Sequence, residues 1–119
     1  NLVLGQNTAA KVEGRFALLE LDLIAVKGKA EAVRIFTIPG GAVARDDAEF
    51  LKWRAAHDAM LAAYRAQSWD EAVKRIAECR VAGGGRLGAY YDLYAERIGE
   101  FRAEPPGKDW DGVYRAETK

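Results

Sequence analysis

The spacing of apolar residues changes once along the chain, from every second residue to every third or fourth. Two early segments, Phe16 to Val26 and Val33 to Ile38, alternate in the manner of β-strands. The odd-numbered positions of the first segment predict one apolar face, made of Ala17, Leu19, Leu21, Leu23 and Ala25. Its even-numbered face is mixed and contains Glu20 and Asp22. We expect the segments to form an antiparallel hairpin, across which Arg34 can pair with Asp22 or Glu20.

The second half of the chain has the spacing of three amphipathic helices. Pro39-Gly40-Gly41 ends the β-like pattern, and the acidic run from Asp46 to Glu49 is typical of a helix start. Ser68 and Glu71 have the spacing of a capping box, in which the serine hydroxyl accepts from the Glu71 amide. The three apolar stripes are Phe50, Trp53, His57, Met60 and Tyr64; Trp69, Ala72, Ile76 and Cys79; and Leu87, Tyr91, Tyr94, Ile98 and Phe101.

The order of these elements predicts an α+β fold in two parts. Residues 1–41 would hold the hairpin, preceded by a short helix that Asn7 caps and Gly14 ends. Residues 42–119 would hold the three helices and a short extended tail. We expect the tail to dock through its apolar residues, which are Trp110, Val113 and Tyr114.

Composition narrows the possible partners and locations. Eighteen basic residues balance eighteen acidic ones, which disfavours nucleic-acid binding, and no apolar run is long enough to span a bilayer. The single cysteine, Cys79, fits a reducing compartment and therefore a cytoplasmic location. Cys79 and the single histidine, His57, are expected in the core, because both lie on apolar stripes of helices. They are too few and too far apart in the sequence to form a structural zinc site. The chain does not begin with methionine, so we expect a longer parent protein.

Two motifs in the helical half have a structural and a functional interpretation. The run from Gly83 to Gly88 satisfies G-x-G-x-x-G, but a helix precedes it, which favours a helix end and a turn over a dinucleotide site. The helix pair from Ala56 to Arg80 resembles a tetratricopeptide hairpin, although Met60 replaces the expected glycine. The matching positions are Tyr64, Trp69, Ala72, Ile76 and Cys79. A single hairpin of this kind is expected to pack on the first half of the chain or on a partner.

The turn Lys27-Gly28-Lys29 is the best candidate for a binding site. A lysine at a hairpin tip is a movable point charge. At about 4 Å from a phosphate, the electrostatic attraction would be worth roughly 4 kcal/mol before the cost of desolvation is subtracted. Gly28 would let the backbone approach an anion closely. The alternative is a turn whose polar residues only contact solvent.

The first forty residues resemble the end of the catalytic domain of class III nucleotide cyclases. The matching features are a short helix after a strand, the acidic segment Glu20-Leu21-Asp22, the turn from Val26 to Lys29, and the final strand from Ala32 to Phe36. The segment from Pro105 to Val113 also resembles the tail of bacterial membrane-anchored cyclases. Ala32 stands where the family often has proline.

The resemblance implies a function for the parent protein. Class III cyclases convert ATP or GTP to the 3′,5′-cyclic monophosphate and pyrophosphate, and they work as homodimers with two Mg²⁺ or Mn²⁺ ions. The family's first turn lysine contacts the triphosphate, and this role carries over to Lys27, with possible support from Gly28 and Lys29. The family's metal-binding aspartates have no counterpart here, so the segment alone is expected to be inactive. The metal ligands and any membrane contact are expected in the rest of the parent protein. The alternative is a non-catalytic tetratricopeptide-like module that binds a protein.

Overall fold

The computed structural model is described over residues 2–12, 17–25, 32–38 and 47–115. Within these ranges it contains four strands and four helices, which confirms the predicted α+β class. In chain order the elements are β1 Leu2–Gly5, α1 Gln6–Val12, β2 Leu19–Ala25, β3 Val33–Ile38, α2 Ala48–Arg65, α3 Trp69–Ala82, α4 Gly88–Ala103 and β4 Tyr114–Arg115.

The four strands form one mixed sheet in the order β1-β3-β2-β4. β3 lies between β1 and β2 and is antiparallel to both. β4 lies on the other side of β2 and is parallel to it, with Tyr114 opposite Ile24 and Arg115 opposite Ala25. The extended tail is therefore a strand of the sheet. Its two residues are too few to show an alternating pattern in the sequence.

An irregularity in β2 interrupts the single apolar face that alternation predicts. Glu20 lies opposite Phe36 and Asp22 lies opposite Ile35, so Leu21 is an extra residue in the ladder. An extra residue reverses the in–out alternation of the residues that follow it. The odd-numbered residues before and after Leu21 therefore do not share one face, and that prediction is wrong. The strand also begins at Leu19 and not at Phe16.

The same irregularity selects the partner of Arg34. A regular strand would place Glu20 and Asp22 on one face, whereas here they lie on opposite faces because they pair with consecutive residues of β3. The Arg34 guanidinium donates to Glu20 Oε2 at 2.5 Å, and Asp22 is buried. The predicted cross-strand pair is thus confirmed for Glu20. Because both side chains are partly exposed, it contributes less than about 1 kcal/mol.

Contacts between residues divide the chain into two compact units, residues 1–47 with 112–119 and residues 48–111. The second unit contains α2, α3 and α4, with a core of ten buried side chains: Met60, Leu61, Ala63, Tyr64, Ala72, Ile76, Cys79, Tyr91, Tyr94 and Ile98. Most of these residues belong to the predicted apolar stripes. The predicted division into 1–41 and 42–119 stays a prediction, since residues 39–46 lie outside the described part of the chain.

Two predicted helix caps are wrong. Asn7 lies inside α1, which begins at Gln6, so Asn7 is not the capping residue. Ser68 does precede α3, but its side chain makes no capping hydrogen bond. The Glu71 carboxylate instead accepts from Arg75 Nε at 2.7 Å, one helical turn further along. An ion pair at this spacing competes for the carboxylate that a capping box would use.

Candidate functional site

The predicted triphosphate-binding residues, Lys27, Gly28 and Lys29, lie outside the described part of the chain. The structure does describe the two strands that the segment containing these lysines connects. β2 ends at Ala25 and β3 begins at Val33, and the two strands are antiparallel neighbours up to the pair Ile24–Val33. The role of Lys27 therefore stays a prediction.

A buried polar cluster lies in the helical unit, made of Trp53, His57, Cys79 and Tyr91. The Tyr91 hydroxyl accepts from Trp53 Nε1 at 2.9 Å and lies 2.8 Å from His57 Nδ1. It also makes a hydrogen bond with the Cys79 thiol. All four side chains have 0% exposure. The cluster joins α2, α3 and α4 through one oxygen atom.

The hydrogen-bonding capacity of the Tyr91 hydroxyl matches these three partners. A phenol has one proton to donate and two lone pairs to accept with. One lone pair accepts from the indole N–H of Trp53. The proton and the other lone pair serve His57 and Cys79, because each of these can act as donor or acceptor. The hydroxyl is therefore satisfied without water, as a buried polar group requires.

Burial also makes the Cys79 thiol and the Tyr91 hydroxyl of this cluster harder to ionise. Loss of solvent raises the pKa of the Cys79 thiol to about 11, and the hydrogen bond from Tyr91 only partly opposes that effect. Loss of solvent likewise raises the pKa of Tyr91 above its ordinary value. A thiol is nucleophilic as the thiolate, and this thiol stays protonated at neutral pH. The complete burial of His57 and Cys79 confirms that they are core residues.

The glycine-rich motif shapes the surroundings of Trp53. α3 ends at Ala82, and the Gly83 N–H bonds to the Cys79 carbonyl at 2.8 Å, so the motif forms a helix end and a turn as predicted. A Cβ on Gly83 would lie 2.8 Å from the Trp53 ring, which explains the glycine there. Arg86 covers the same ring, with Cζ 4.5 Å from the ring centroid. Sequence reasoning did not predict this contact.

An aromatic cluster surrounds Tyr64 at the other end of the helical unit. Its ring centroid lies 5.9 Å from Trp69, 6.1 Å from Phe101 and 5.3 Å from Trp110. Trp110 also lies 5.2 Å from Phe101, so the segment after α4 is bound to the helices by its indole. Tilted and edge-on contacts at these distances are favourable for aromatic rings. The predicted docking of Trp110 thus occurs within the helical unit.

A buried arginine extends the aromatic cluster and was not predicted. Arg97 is 6% exposed, and its Cζ lies 4.7 Å from the Tyr94 ring centroid. One of its terminal nitrogens donates to the Tyr64 hydroxyl at 3.3 Å. The only sequence signal was its position beside Ile98 on the apolar stripe of α4, where an arginine can stack on aromatic faces.

Within the described ranges, no group of three or more His, Cys, Asp or Glu side chains is arranged to hold a metal ion. None of the described helices is both long enough and apolar enough to cross a membrane.

Comparison with known proteins finds no relative of this chain. No protein-family model matches the sequence, and neither the search of curated proteins nor the search of solved structures yields a match.

Substitution Tyr91→Phe is expected to lower the free energy of unfolding by about 1–3 kcal/mol. The change removes one oxygen and leaves the Trp53 N–H and the His57 ring without their common partner in a dry core. Equilibrium unfolding in urea would measure the effect. The substitution Val73→Thr on an exposed position of α3 provides a control in which a polar group changes at the surface. Equal stabilities of Tyr91→Phe and the native chain would contradict the role given to the hydroxyl.

Proposed function

We propose that this chain is the C-terminal part of a class III nucleotide cyclase, a lyase that makes cyclic AMP or cyclic GMP and pyrophosphate. In this proposal β2, β3 and their connection are the hairpin that ends the catalytic sheet. Lys27 contacts the triphosphate, and Gly28 and Lys29 support it. The metal-binding carboxylates, and the Mg²⁺ or Mn²⁺ ions that they hold, belong to a preceding part of the parent protein. The parent works as a homodimer in the cytoplasm or anchored to a membrane.

The order and pairing of the elements carry this proposal. The chain runs strand, short helix, strand, strand, as in the order implied by the resemblance, from β1 through α1 to β2 and β3. The acidic segment lies in β2, where Glu20 pairs with Arg34 of β3. The segment that contains Lys27 connects two antiparallel neighbours. A lysine in such a connection can approach a ligand beyond the end of the sheet, and its charge would stabilise the departing pyrophosphate.

The edge strand β1 supports the idea of a larger sheet. Among the described strands, β1 pairs only with β3, and its residue Val3 is 59% exposed. An edge strand with an exposed β-branched residue is suited to pairing with a further strand. A preceding part of a cyclase catalytic domain would supply that strand.

The experiment that tests this function is a cyclase assay on the full-length parent chain with Mn²⁺ and either ATP or GTP. Formation of cyclic nucleotide by that chain, and none by residues 1–119 alone, is the expected result. A full-length chain that binds no triphosphate and makes no cyclic nucleotide would overturn the proposal. Comparing ATP with GTP would also identify the substrate.

The second candidate function is that of a non-catalytic tetratricopeptide-like module that binds another protein. The packing of α2 on α3 favours it, because Tyr64 contacts Trp69 at the pair of positions where that repeat has aromatic residues. Ala72, Ile76 and Cys79 line the buried side of α3, also as the repeat requires. An inert full-length chain that co-purifies with one stoichiometric protein partner would favour this function over the first.

A further inference from the structure

A groove of about 280 Å³ lies in the helical unit, where α2 begins and α3 ends. Two helices and the glycine-rich turn after α3 form its walls. The volume is slightly below that of pockets that enclose a drug-sized ligand, so it has room for one or two side chains of a bound peptide. The lining residues are Glu49 and Lys52 of α2, Val81 and Ala82 of α3, and Gly84 and Arg86 of the turn.

The Arg86 guanidinium is held in place at this groove. Its Cζ lies 4.5 Å from the centroid of the Trp53 ring, and its Nε donates to the Gly83 carbonyl at 2.9 Å. The Trp53 side chain has 0% exposure, so the ring on which the guanidinium stacks is itself fixed by packing. These contacts use one face and one donor of the guanidinium. Its two terminal nitrogens have the donor geometry that matches a carboxylate.

The lining of the groove carries two positive charges and one negative charge. Lys52 supplies the second cation, and Glu49 supplies the carboxylate. Within the described part of the chain, no carboxylate forms an ion pair with Arg86 or Lys52. A ligand group with one negative charge would therefore neutralise the lining, whereas a dianionic phosphate would leave an excess negative charge beside Glu49. The charge balance favours a carboxylate over a phosphate.

Val81 adds an apolar contact beside the two cations. Its side chain is 83% exposed, although it belongs to the last turn of α3. Burial of this side chain against an aliphatic group of a ligand would be favourable. A carboxylate with an aliphatic side chain next to it is the chemistry of an acidic peptide segment.

We propose that this groove binds an acidic peptide segment of a partner protein. A carboxylate of the peptide pairs with Arg86 and Lys52, and a neighbouring aliphatic side chain packs on Val81. This inference rests on the second candidate function, the protein-binding module, and it names the chemistry of the partner. All the residues that carry it belong to the helical unit.

Titration of the 119-residue chain with synthetic peptides, followed by NMR, tests the inference. The probe is acetyl-Gly-Val-Glu-Val-Gly-amide, and matched peptides carry glutamine or phosphoserine in place of glutamate. The indole N–H of Trp53 and the backbone N–H of Gly84 report on the groove. The glutamate peptide is expected to shift both signals. The glutamine peptide is expected to bind at least about 10-fold more weakly, and the phosphoserine peptide no more tightly than the glutamate peptide.

Variants of the groove residues make the titration specific. Arg86→Ala is expected to weaken binding of the glutamate peptide by about 10- to 100-fold, since it removes charge-assisted hydrogen bonds. Arg86→Lys keeps the charge without the paired donors and should retain part of the affinity. Glu49→Gln should strengthen binding, because it removes a like charge. Lys108→Ala removes an exposed lysine outside the groove and should match the native chain. Circular dichroism establishes that each variant is folded.

Equal binding of the glutamate and glutamine peptides would overturn the inference, as would tighter binding of the phosphoserine peptide or native affinity in Arg86→Ala. Self-association that Arg86→Ala abolishes, with no response to the peptides, would also overturn it and would identify a second copy of the chain as the occupant. A full-length parent that keeps a stoichiometric protein partner after Arg86→Ala would overturn the inference and leave the protein-binding function standing. A parent without a protein partner, in a chain that does not respond to the peptides, would overturn both.

Discussion

In the proposed cyclase, replacing Lys27 by alanine is expected to lower kcat/KM for the nucleoside triphosphate by about 10²–10³-fold. Removing one preorganised group that stabilises developing charge has effects of this size. KM should rise because, in the proposed function, Lys27 contacts the bound triphosphate. The value of kcat should fall because charge grows on the departing pyrophosphate in the transition state. Steady-state kinetics of cyclic nucleotide formation would measure both quantities.

Three further variants test whether the kinetic effect is specific to the Lys27 side chain. Lys74→Ala removes an exposed lysine from α3 and should leave the kinetics unchanged. Lys29→Ala should have a smaller effect than Lys27→Ala, because only the first lysine is assigned to the triphosphate. Lys27→Arg keeps the charge with a different shape and should retain part of the activity. Native kinetics in Lys27→Ala would remove the assigned role and leave the turn as a solvated connection between strands.

Substitution Tyr64→Ala is expected to lower the free energy of unfolding of the helical unit by about 3–5 kcal/mol, as for other large aromatic side chains in a core. The Tyr64 side chain has 0% exposure, and its ring contacts Tyr94, Trp69 and Trp110. Alanine would leave a cavity at the centre of this cluster and remove the hydroxyl that accepts from Arg97. A loss of this size is a large part of the stability of a small domain.

Tryptophan fluorescence during unfolding in urea would measure the change in Tyr64→Ala selectively. All three tryptophans of the chain lie in the helical unit, so their emission reports on that unit. Leu93→Ala on α4 is the matched control, because Leu93 is 49% exposed and its truncation should cost less than about 1 kcal/mol. Equal losses in the two variants would show that the aromatic cluster does not hold the helices together.

The fold class and the buried positions of the helices could be predicted because they depend on local periodicity. β3 has the bounds that alternation predicts, Val33 to Ile38. Trp53, His57 and Met60 are buried with 0% exposure, as their three- and four-residue spacing predicts. The glycine-rich motif forms a helix end and a turn, as the helix that precedes it predicts. Each of these inferences uses only residues within a few positions of one another.

The wrong predictions concern groups for which the sequence allows more than one partner or more than one strand geometry. Glu71 has the sequence of a capping residue, yet it pairs with Arg75 because the same carboxylate can reach either partner. The extra residue at Leu21 has no sequence signal, since every residue around it is compatible with a regular strand. Arg97 was not predicted, and its charged side chain is buried beside the rings of Tyr64 and Tyr94.

The sequence by itself determined where apolar surface is available, and therefore which segments become strands and helices. It also placed the two lysines between two strands. Only the tertiary structure decided which groups come into contact. Arg34 pairs with Glu20 and not with Asp22, Trp53 and His57 share the Tyr91 hydroxyl, and β4 lies beside the end of β2. The physical reason is that periodicity is a property of adjacent residues. Pairing of distant groups instead depends on register, on irregularities such as the one at Leu21, and on the geometry of the whole unit.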